Sequence, residues 1–168
     1  MPRYFISLAY DGAAYHGWQI QPNARSVQEE IESALSKLHG NCAIEVVGCG
    51  RTDAGVHAQH YFLHADLPQP WDAQQLVFKL NRMTAPDVAF KQAWEVSSDL
   101  HARFDASKRT YRYFIHQHKN PFMRKESWYL ESALDIEQMN VATQHLLGKQ
   151  DFSSFAKAHT DVKTNICD

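Results

Sequence analysis

A glycine-rich stretch between two apolar runs concentrates side chains that could take part in chemistry. It reads Gly48-Cys49-Gly50-Arg51-Thr52-Asp53-Ala54-Gly55-Val56-His57-Ala58. Two to five residues are enough to join antiparallel strands, so a longer loop on a rigid sheet is where catalytic or binding groups tend to lie. Its carboxylate, Asp53, could act as a general base or as a nucleophile. Its glycines would let the backbone approach a ligand closely.

The same residues also fit a structural interpretation. Asp53 could form a turn in a wide hairpin by hydrogen-bonding to its own backbone. A thiol nucleophile is not indicated, because no general base is evident beside Cys49. A metal site is not indicated either, because His57, His60 and His64 lack the nearby glutamate of a metal-hydrolase signature. From the residues alone, the catalytic and the structural interpretations both stay open.

Periodicity and capping signals predict the elements that must position this loop. Ser26 and Glu29 form a capping box, and Asp72 with Gln75 can cap a second helix. In chain order, we predict a strand at residues 3–10, a helix at 27–39, strands at 43–49 and 59–65, a helix from Asp72 to about residue 82, and a strand at 88–96. This β-α-β-β-α-β order is that of a ferredoxin-like unit, in which two helices cover one face of an antiparallel sheet. The predicted fold class is therefore α+β.

The pattern starts again near residue 108. We predict a strand at residues 110–117, a short strand at 128–130, a helix from Asp135 to about residue 147, and a further strand at 162–166. We therefore predict two domains. An N-terminal ferredoxin-like domain, residues 1–100, carries the glycine-rich loop, and an incomplete second α/β domain, residues 101–168, carries a basic strand.

The composition is that of a folded, soluble protein, with 44% apolar and 21% charged residues in a chain of 168. No run approaches the roughly eighteen consecutive apolar residues that span a bilayer, and the N-terminus has no signal-peptide core. We therefore expect a cytoplasmic protein without membrane association. Three cysteines without a C-x-x-C pair predict neither a disulfide framework nor a zinc knuckle.

The net charge of −2 conceals an uneven distribution. Residues 101–131 hold 7 lysines and arginines against 3 aspartates and glutamates, whereas residues 1–100 hold 7 against 11. A local basic patch is what steers a polyanion toward a protein. On charge alone, however, a solvated basic strand is the simpler interpretation.

Four motifs resemble those of the TruA family of tRNA pseudouridine synthases. The most specific is the eight-residue match Gly50-Arg51-Thr52-Asp53-Ala54-Gly55-Val56-His57. The others are Tyr10-Asp11-Gly12 with Tyr15 and Gly17-Trp18-Gln19, then His101-Ala102-Arg103-Phe104 followed by Arg109-Thr110-Tyr111-Arg112-Tyr113, and Asp151-Phe152-Ser153-Ser154-Phe155. The resemblance implies the pseudouridine synthase fold and the isomerisation of uridine to pseudouridine in the anticodon stem-loop of tRNA, without a cofactor or a metal.

The resemblance also assigns roles to residues. Asp53 corresponds to the catalytic aspartate, either as a nucleophile at C1′ or as a base that removes a ribose proton. Tyr111 corresponds to a tyrosine that stacks on the flipped base, and Arg51 is associated with displacing and replacing that base. Arg51 lies two residues from Asp53, near enough in principle for a charge contact that keeps the carboxylate ionised.

Further residues are predicted to bind the RNA. Arg103 and Arg109 are predicted to contact phosphates, and Thr52 and His57 belong to the matched loop and are predicted to contact the substrate. The predicted partners are tRNA and, in the full-length form, a second subunit, because the resemblance implies a homodimer with the tRNA spanning both subunits.

The family's chains continue beyond this one, with a motif whose basic residue pairs with the catalytic aspartate. No counterpart follows Asp168, so the resemblance implies a C-terminally incomplete chain. The hypotheses are an active synthase and, alternatively, a catalytically inactive RNA-binding fragment that keeps the loop and the basic strand. A third is a structural module that only pairs with partners, because this fold hosts many functions.

Overall fold

A computed structural model describes residues 1–156 and 164–167. The chain divides into two compact units, Met1–Tyr111 and Arg112–Asp168. These units are defined by contacts within the structure. The domain boundary predicted after residue 100 is a statement about independent folding, and it stays a prediction. The fold is mixed α/β, with an antiparallel sheet and three α-helices among the described residues.

The first unit contains a four-stranded sheet and two α-helices. Its elements are β1 (Arg3–Tyr10), a 3-10 turn (Gly12–Ala14), α1 (Val27–Leu38), β2 (Val46–Gly48), β3 (Ala58–Asp66), α2 (Ala73–Met83) and β4 (Val88–Val96). The strand order is β2-β3-β1-β4, and every neighbouring pair is antiparallel. Each helix and strand predicted before residue 97 is present, in the predicted order.

One face of this sheet forms the core with both helices. Alternate residues of a strand point to the same face, and β1 buries Tyr4, Ile6, Leu8 and Tyr10. The same cluster contains residues of α1 and α2, namely Val27, Ile31, Leu35, Leu76 and Leu80. Burying one large aliphatic side chain is worth about 1.5–3 kcal/mol. This shared cluster therefore holds the sheet and the helices together.

The predicted helix caps are confirmed. The hydroxyl of Ser26 accepts a hydrogen bond from the Glu29 amide at 3.2 Å, and the carboxylate of Asp72 accepts one from the Gln75 amide at 2.9 Å. Such caps satisfy amides that have no partner within the helix. Gly40 follows α1 with φ +67°, a conformation that glycine adopts without a side-chain clash.

The second strand is shorter than predicted. Residues 43–49 were expected to pair, but β2 covers only Val46–Gly48. Val46 lies opposite Ala65, so extending the pairing by one residue would place Glu45 opposite Asp66. Like charges directly opposite each other destabilise a sheet. The Val46 amide also donates to the Glu32 carboxylate at 3.0 Å, so a side chain of α1 binds the backbone where β2 begins.

The second unit contains short elements only. These are β5 (Ile115–His116), β6 (Trp128–Tyr129), α3 (Ile136–Thr143), β7 (Gln150–Asp151) and β8 (Ile166–Cys167), with 3-10 turns at Pro121–Met123, Gln144–Leu146 and Ser153–Phe155. Strands β5 and β6 pair in parallel, and β7 and β8 pair antiparallel.

Several predictions for this unit are wrong in extent. Of the strand predicted at residues 110–117, only Ile115–His116 is paired, and α3 ends at Thr143 rather than near residue 147. A β-conformation needs a partner strand, and residues 110–114 have no ladder partner within the described part of the chain. The strand predicted at residues 162–166 lies partly outside the described residues, and only its last residue belongs to β8.

Candidate active site

The glycine-rich stretch forms a loop between β2 and β3, here named the Asp53 loop (residues 49–57). It begins where the Cys49 amide donates to the Phe62 carbonyl at 2.8 Å, and it ends at Ala58, which lies opposite Tyr10. Both of its ends are therefore fixed by the central part of the sheet. This placement agrees with the general preference of functional groups for loops on rigid scaffolds.

A second segment wraps around this loop. We name it the cradle segment (residues 11–25), and it follows β1 directly. The Trp18 amide donates to the Thr52 carbonyl at 3.0 Å, and the Gly55 amide donates to the Tyr15 carbonyl at 3.3 Å. The two sequence motifs that lie some forty residues apart are thus parts of one structure.

Two glycines allow this close approach. A Cβ atom on Gly12 would collide with the Val56 carbonyl oxygen, and one on Gly17 would collide with the Thr52 carbonyl oxygen. Gly17 also has φ +93°, which residues with a side chain rarely adopt. The cradle segment therefore requires glycine at both positions, for contact with the Asp53 loop rather than for a turn alone.

Side chains of the loop are also fixed from the N-terminal side. The hydroxyls of Tyr10 and Thr52 lie 2.9 Å apart and share a hydrogen bond. The Arg51 Nε donates to the Gln19 side-chain oxygen at 3.0 Å. This contact takes the place of the one predicted between Arg51 and Asp53, because no ion pair joins those two residues in the part of the chain described.

His57 is held at the end of the loop. Its Nδ1 lies 2.8 Å from a carboxylate oxygen of Asp11, and that oxygen also accepts a hydrogen bond from the Ala13 amide at 2.9 Å. The imidazole is about 42% exposed, so one side of it remains open to solvent. Asp11 thus joins the cradle segment to the last residue of the loop.

Aromatic rings form the floor under the loop. The rings of Trp18 and Tyr61 lie 4.3 Å apart, and Tyr10 meets Tyr61 edge-on at 5.5 Å. The Tyr61 hydroxyl donates to the Gly50 carbonyl. Burial is the main cause that raises the pKa of Tyr10 to about 12 and raises the pKa of Tyr61 as well. Both phenols therefore stay protonated at neutral pH and keep their hydrogen bonds to the loop.

Charged groups hold the cradle segment on the side that faces away from the Asp53 loop. The buried Tyr15 donates to the carboxylate of Asp87 at 2.7 Å, and the guanidinium of Arg25 lies 4.5 Å above the Tyr15 ring. Arg25 also pairs with Glu30 of α1 at 3.1 Å. Surface pairs contribute little individually, but this set ties the cradle segment to α1 and to the turn before β4.

Asp53 lies at the exposed part of the loop. Its carbonyl accepts a hydrogen bond from the Val56 amide at 3.2 Å, which closes a tight turn behind it. Among the described residues its carboxylate has no ion-pair partner. The backbone is thus fixed while the carboxylate is left open to an incoming ligand.

The three other predicted site residues lie on the segment after β4. Arg103 and Arg51 both line a groove of about 550 Å³ beside β2, together with Gln19 and Gly50. Arg109 donates to the Cys49 carbonyl, where the Asp53 loop begins. Tyr111 is about 70% exposed. Its stacking role stays a prediction.

Sequence reasoning assigned no site role to Tyr10, Gln19 or Tyr61, although each contacts the Asp53 loop. Tyr10 and Gln19 stand in a motif that marked the resemblance, and this was a usable signal. Tyr61 shares the buried face of β3 with Leu63, so its alternation indicated only a core residue. Residues 1–156 and 164–167 contain no cluster of three or more His, Cys, Asp or Glu side chains that could hold a metal ion.

Comparison with known proteins agrees with this architecture. The family model for tRNA pseudouridine synthase matches residues 6–105. The tRNA pseudouridine synthase A of Bacteroides thetaiotaomicron is 50% identical over 99% of the chain, that of Bacteroides fragilis 49% over 98%, and that of Bacillus subtilis 40% over 95%. The chain spans 62%, 66% and 66% of these relatives, respectively. The matched residues include β1, the cradle segment and the complete Asp53 loop, and the chain belongs to the tRNA pseudouridine synthase family.

Proposed function

We propose that this chain provides the catalytic aspartate of a tRNA pseudouridine synthase that isomerises uridine in the anticodon stem-loop. The observation that carries the proposal is the Asp53 loop, where an exposed carboxylate stands on a backbone fixed from both sides. The substrate is supported by the 50% identity to a protein named tRNA pseudouridine synthase A. Preorganised backbone of this kind reduces the cost of positioning a reacting group.

The reaction explains why one carboxylate is sufficient. The bond from C1′ to N1 of the base breaks, the uracil rotates, and a bond from C1′ to C5 forms, while C5 loses a proton and N1 gains one. Asp53 takes part either by attacking C1′ or by removing a ribose proton to give a glycal. Both routes balance without a cofactor. Each requires the uridine to leave its stack before Asp53 can reach it.

The neighbouring residues have complementary roles in this proposal. Arg51, held through its Nε by Gln19, keeps its two terminal nitrogens for the displaced base or its phosphate. Tyr111 stacks on the flipped base, for which its exposed ring is suited. Thr52 orients the loop through Tyr10, and His57, paired with Asp11, presents its open side to the RNA.

Arg103 and Arg109 are proposed to meet RNA phosphates. Arg103 lies in the groove beside Arg51, which places two cations along one side of the Asp53 loop. Arg109 makes three hydrogen bonds to protein carbonyls, and only its Nη1 group remains for a phosphate. We expect Arg103 to contribute more to the phosphate contacts of the two.

The architecture supports a more specific fold assignment. The antiparallel order β2-β3-β1-β4 with helices after β1 and β3 is that of a ferredoxin-like unit. We propose that residues 1–100 form this unit within a pseudouridine synthase fold, and that residues 101–168 begin a second, similar unit. None of the helices described in either unit is both long and apolar enough to cross a membrane. We further propose a cytoplasmic enzyme that binds tRNA and that is a homodimer in its full-length form.

The test is tritium release from tRNA labelled at C5 of uridine, with the 168-residue chain and its Asp53→Asn variant. We expect release that falls at least about 10²-fold in the variant, while tRNA affinity is kept. Asp99→Asn, an exposed aspartate at the opposite end of the sheet near Arg3, is the matched control and should retain activity.

Absence of release from a folded chain would contradict the enzymatic proposal for this chain. If that chain still bound tRNA with an affinity that falls steeply with salt, it would be the RNA-binding fragment instead. An affinity that does not change with salt would contradict the phosphate contacts assigned to Arg103 and Arg109.

A further inference from the structure

The exposed side chain of Arg109 donates its hydrogen bonds to the protein's own backbone. Its Nε and Nη2 donate to the Cys49 carbonyl at 2.9 and 2.6 Å, and Nη2 also donates to the Arg103 carbonyl at 2.9 Å. A guanidinium has five N–H donors in a planar fork. Three of them are used here, and the two that remain are both on Nη1. Nε and Nη2, which together could bind a phosphate in a bidentate manner, therefore already donate to backbone oxygens.

The first carbonyl marks the start of the Asp53 loop. The Cys49 amide is part of the sheet, because it donates to the Phe62 carbonyl. The Cys49 carbonyl instead accepts hydrogen bonds from Arg109. The next residue, Gly50, leaves room for this contact. A Cβ atom there would lie 3.1 Å from the Arg109 Nε, closer than side chains normally pack.

The second carbonyl belongs to a turn that is anchored to the sheet, named here the 101–105 turn. The Ala102 amide donates to Nδ1 of the buried His64 at 3.0 Å, and the Asp105 amide donates to the His101 carbonyl at 3.0 Å. Just before the turn, Arg3 donates to the carbonyls of Ser98 and Leu100. These hydrogen bonds hold the turn in place on the face of the sheet opposite the helices.

We propose that Arg109 is a positioning residue that joins the Asp53 loop to the 101–105 turn and thereby sets the position of Asp53. The consequence for catalysis rests on the proposed function, whereas the junction itself does not. Arginine is required because one planar group must reach two carbonyls in different segments, which the single ammonium of lysine cannot do in the same geometry. This role differs from a phosphate contact, for which either cation would be adequate.

Hydrogen exchange tests the junction without any need for activity. We expect Arg109→Met and Arg109→Lys each to accelerate exchange of the Gly55, Val56, Ala102 and Asp105 amides by roughly ten- to a hundredfold, since a hydrogen bond to a charged group is worth about 1.5–3 kcal/mol. Gly50→Ala should accelerate the same amides to a smaller extent, because it displaces the guanidinium. Core amides such as those of Ile6 and Leu63 report that the variants remain folded.

The matched control is Arg112→Met, which removes an exposed cation three residues further on and should leave these amides unchanged. Unchanged exchange in Arg109→Met would overturn the proposal. So would a Lys variant that restores wild-type exchange, because that result would assign the effect to charge alone.

A second readout separates positioning from phosphate binding. In the positioning role, Arg109→Met and Arg109→Lys both lower the rate of tritium release, whatever the free Nη1 group adds to phosphate binding. A phosphate contact alone would instead reduce the slope of log affinity against log salt by about 0.7–0.9, and lysine would restore both that slope and the rate of release. If the wild-type chain releases no tritium, the proposed function fails, but the exchange experiment still decides whether the junction exists.

Discussion

The two units differ in what surrounds their apolar side chains. In Met1–Tyr111, the central strands and both helices share one buried cluster. In the second unit, no residue of 112–156 or 164–167 is buried. Its large apolar side chains remain substantially exposed, among them Tyr113, Phe114, Phe122, Trp128 and Leu147.

Local signals alone do not explain this difference. Both units have a helix with an aspartate cap that accepts a hydrogen bond at 2.9 Å, and both have β-rich runs. In the first unit the strands extend to nine residues, whereas each described strand of the second has two. Caps decide where an element begins, and a shared buried face decides how far it extends.

The strongest test of this difference between the units is to truncate one leucine to alanine in each of them. Leu63→Ala deletes a fully buried side chain of β3 and should lower the free energy of unfolding by about 2–5 kcal/mol. Leu147→Ala removes an exposed one and should change it by less than about 0.5 kcal/mol. Urea unfolding measures both, and equal losses would mean that the second unit also has a cooperative core.

Two glycines with similar backbone conformations provide the next test. Gly17 and Gly148 have φ +93° and +84°, so alanine costs roughly 1–2 kcal/mol at either position. A Cβ on Gly17 also meets the Thr52 carbonyl, which should add roughly 1–3 kcal/mol, whereas Gly148 faces open space. Urea midpoints should separate the two variants. Equal midpoints would argue against tight packing of the cradle segment on the Asp53 loop.

The helix caps give a smaller and more local effect. Asp72→Ala should cost about 0.5–2 kcal/mol of global stability, because α2 is part of the core. Asp135→Ala removes an equivalent bond from α3, none of whose residues is buried, so it should reduce helicity without lowering the unfolding free energy of the first unit. Circular dichroism and urea unfolding, measured on the same samples, distinguish these outcomes.

The smallest expected effect is a pH dependence confined to the first unit. The pKa of His64 is lowered, chiefly by burial and then by Arg3 and His101, against an opposing effect of Asp66. The unfolded chain therefore takes up a proton at higher pH than the folded one, and stability falls as pH drops below about 6.5. Protonation also removes the acceptor for the Ala102 amide, a loss on the order of 1 kcal/mol.

The measurement compares urea midpoints at about pH 5 and about pH 8, which lie on either side of the histidine titration. His64→Asn keeps an acceptor at the δ position without a titrating ring, so its midpoint should vary less with pH than that of the wild type. His118→Asn, which changes an exposed histidine of the second unit, should behave like the wild type. A wild-type midpoint that rises on acidification would contradict the assignment.

Most of the first unit was predictable because its signals are local. The helix starts at Val27 and Ala73 follow from capping residues, and the extents of β1 and β4 follow from alternation. The strand predicted at residues 110–117 failed for the opposite reason. Its β-branched and aromatic residues indicate a strand, but pairing depends on a partner that lies elsewhere in the chain.

For the site, the sequence indicated the Asp53 loop but not what holds it. Composition and the motif marked Asp53, Arg51 and His57. The contacts of Arg51 with Gln19 and of Arg109 with Cys49 join residues 32 and 60 positions apart, and no periodicity encodes such pairs. The short distance between Arg51 and Asp53 in sequence suggested an ion pair, yet the nearest acceptor for Arg51 came from the cradle segment.

The cradle segment has a consequence for the order in which the protein can become functional during synthesis. It leaves the ribosome before the loop that it holds, and the hydrogen bond shared by Tyr10, just before the segment, and Thr52 spans 42 positions. Until β3 is made and pairs with β1, Trp18 and Tyr15 have no Tyr61 ring or loop backbone to pack against. Closing so long a loop is a late folding step. A nascent chain therefore acquires its ordered Asp53 loop only with the sheet, and a partly folded intermediate that lacks β3 has no ordered candidate site.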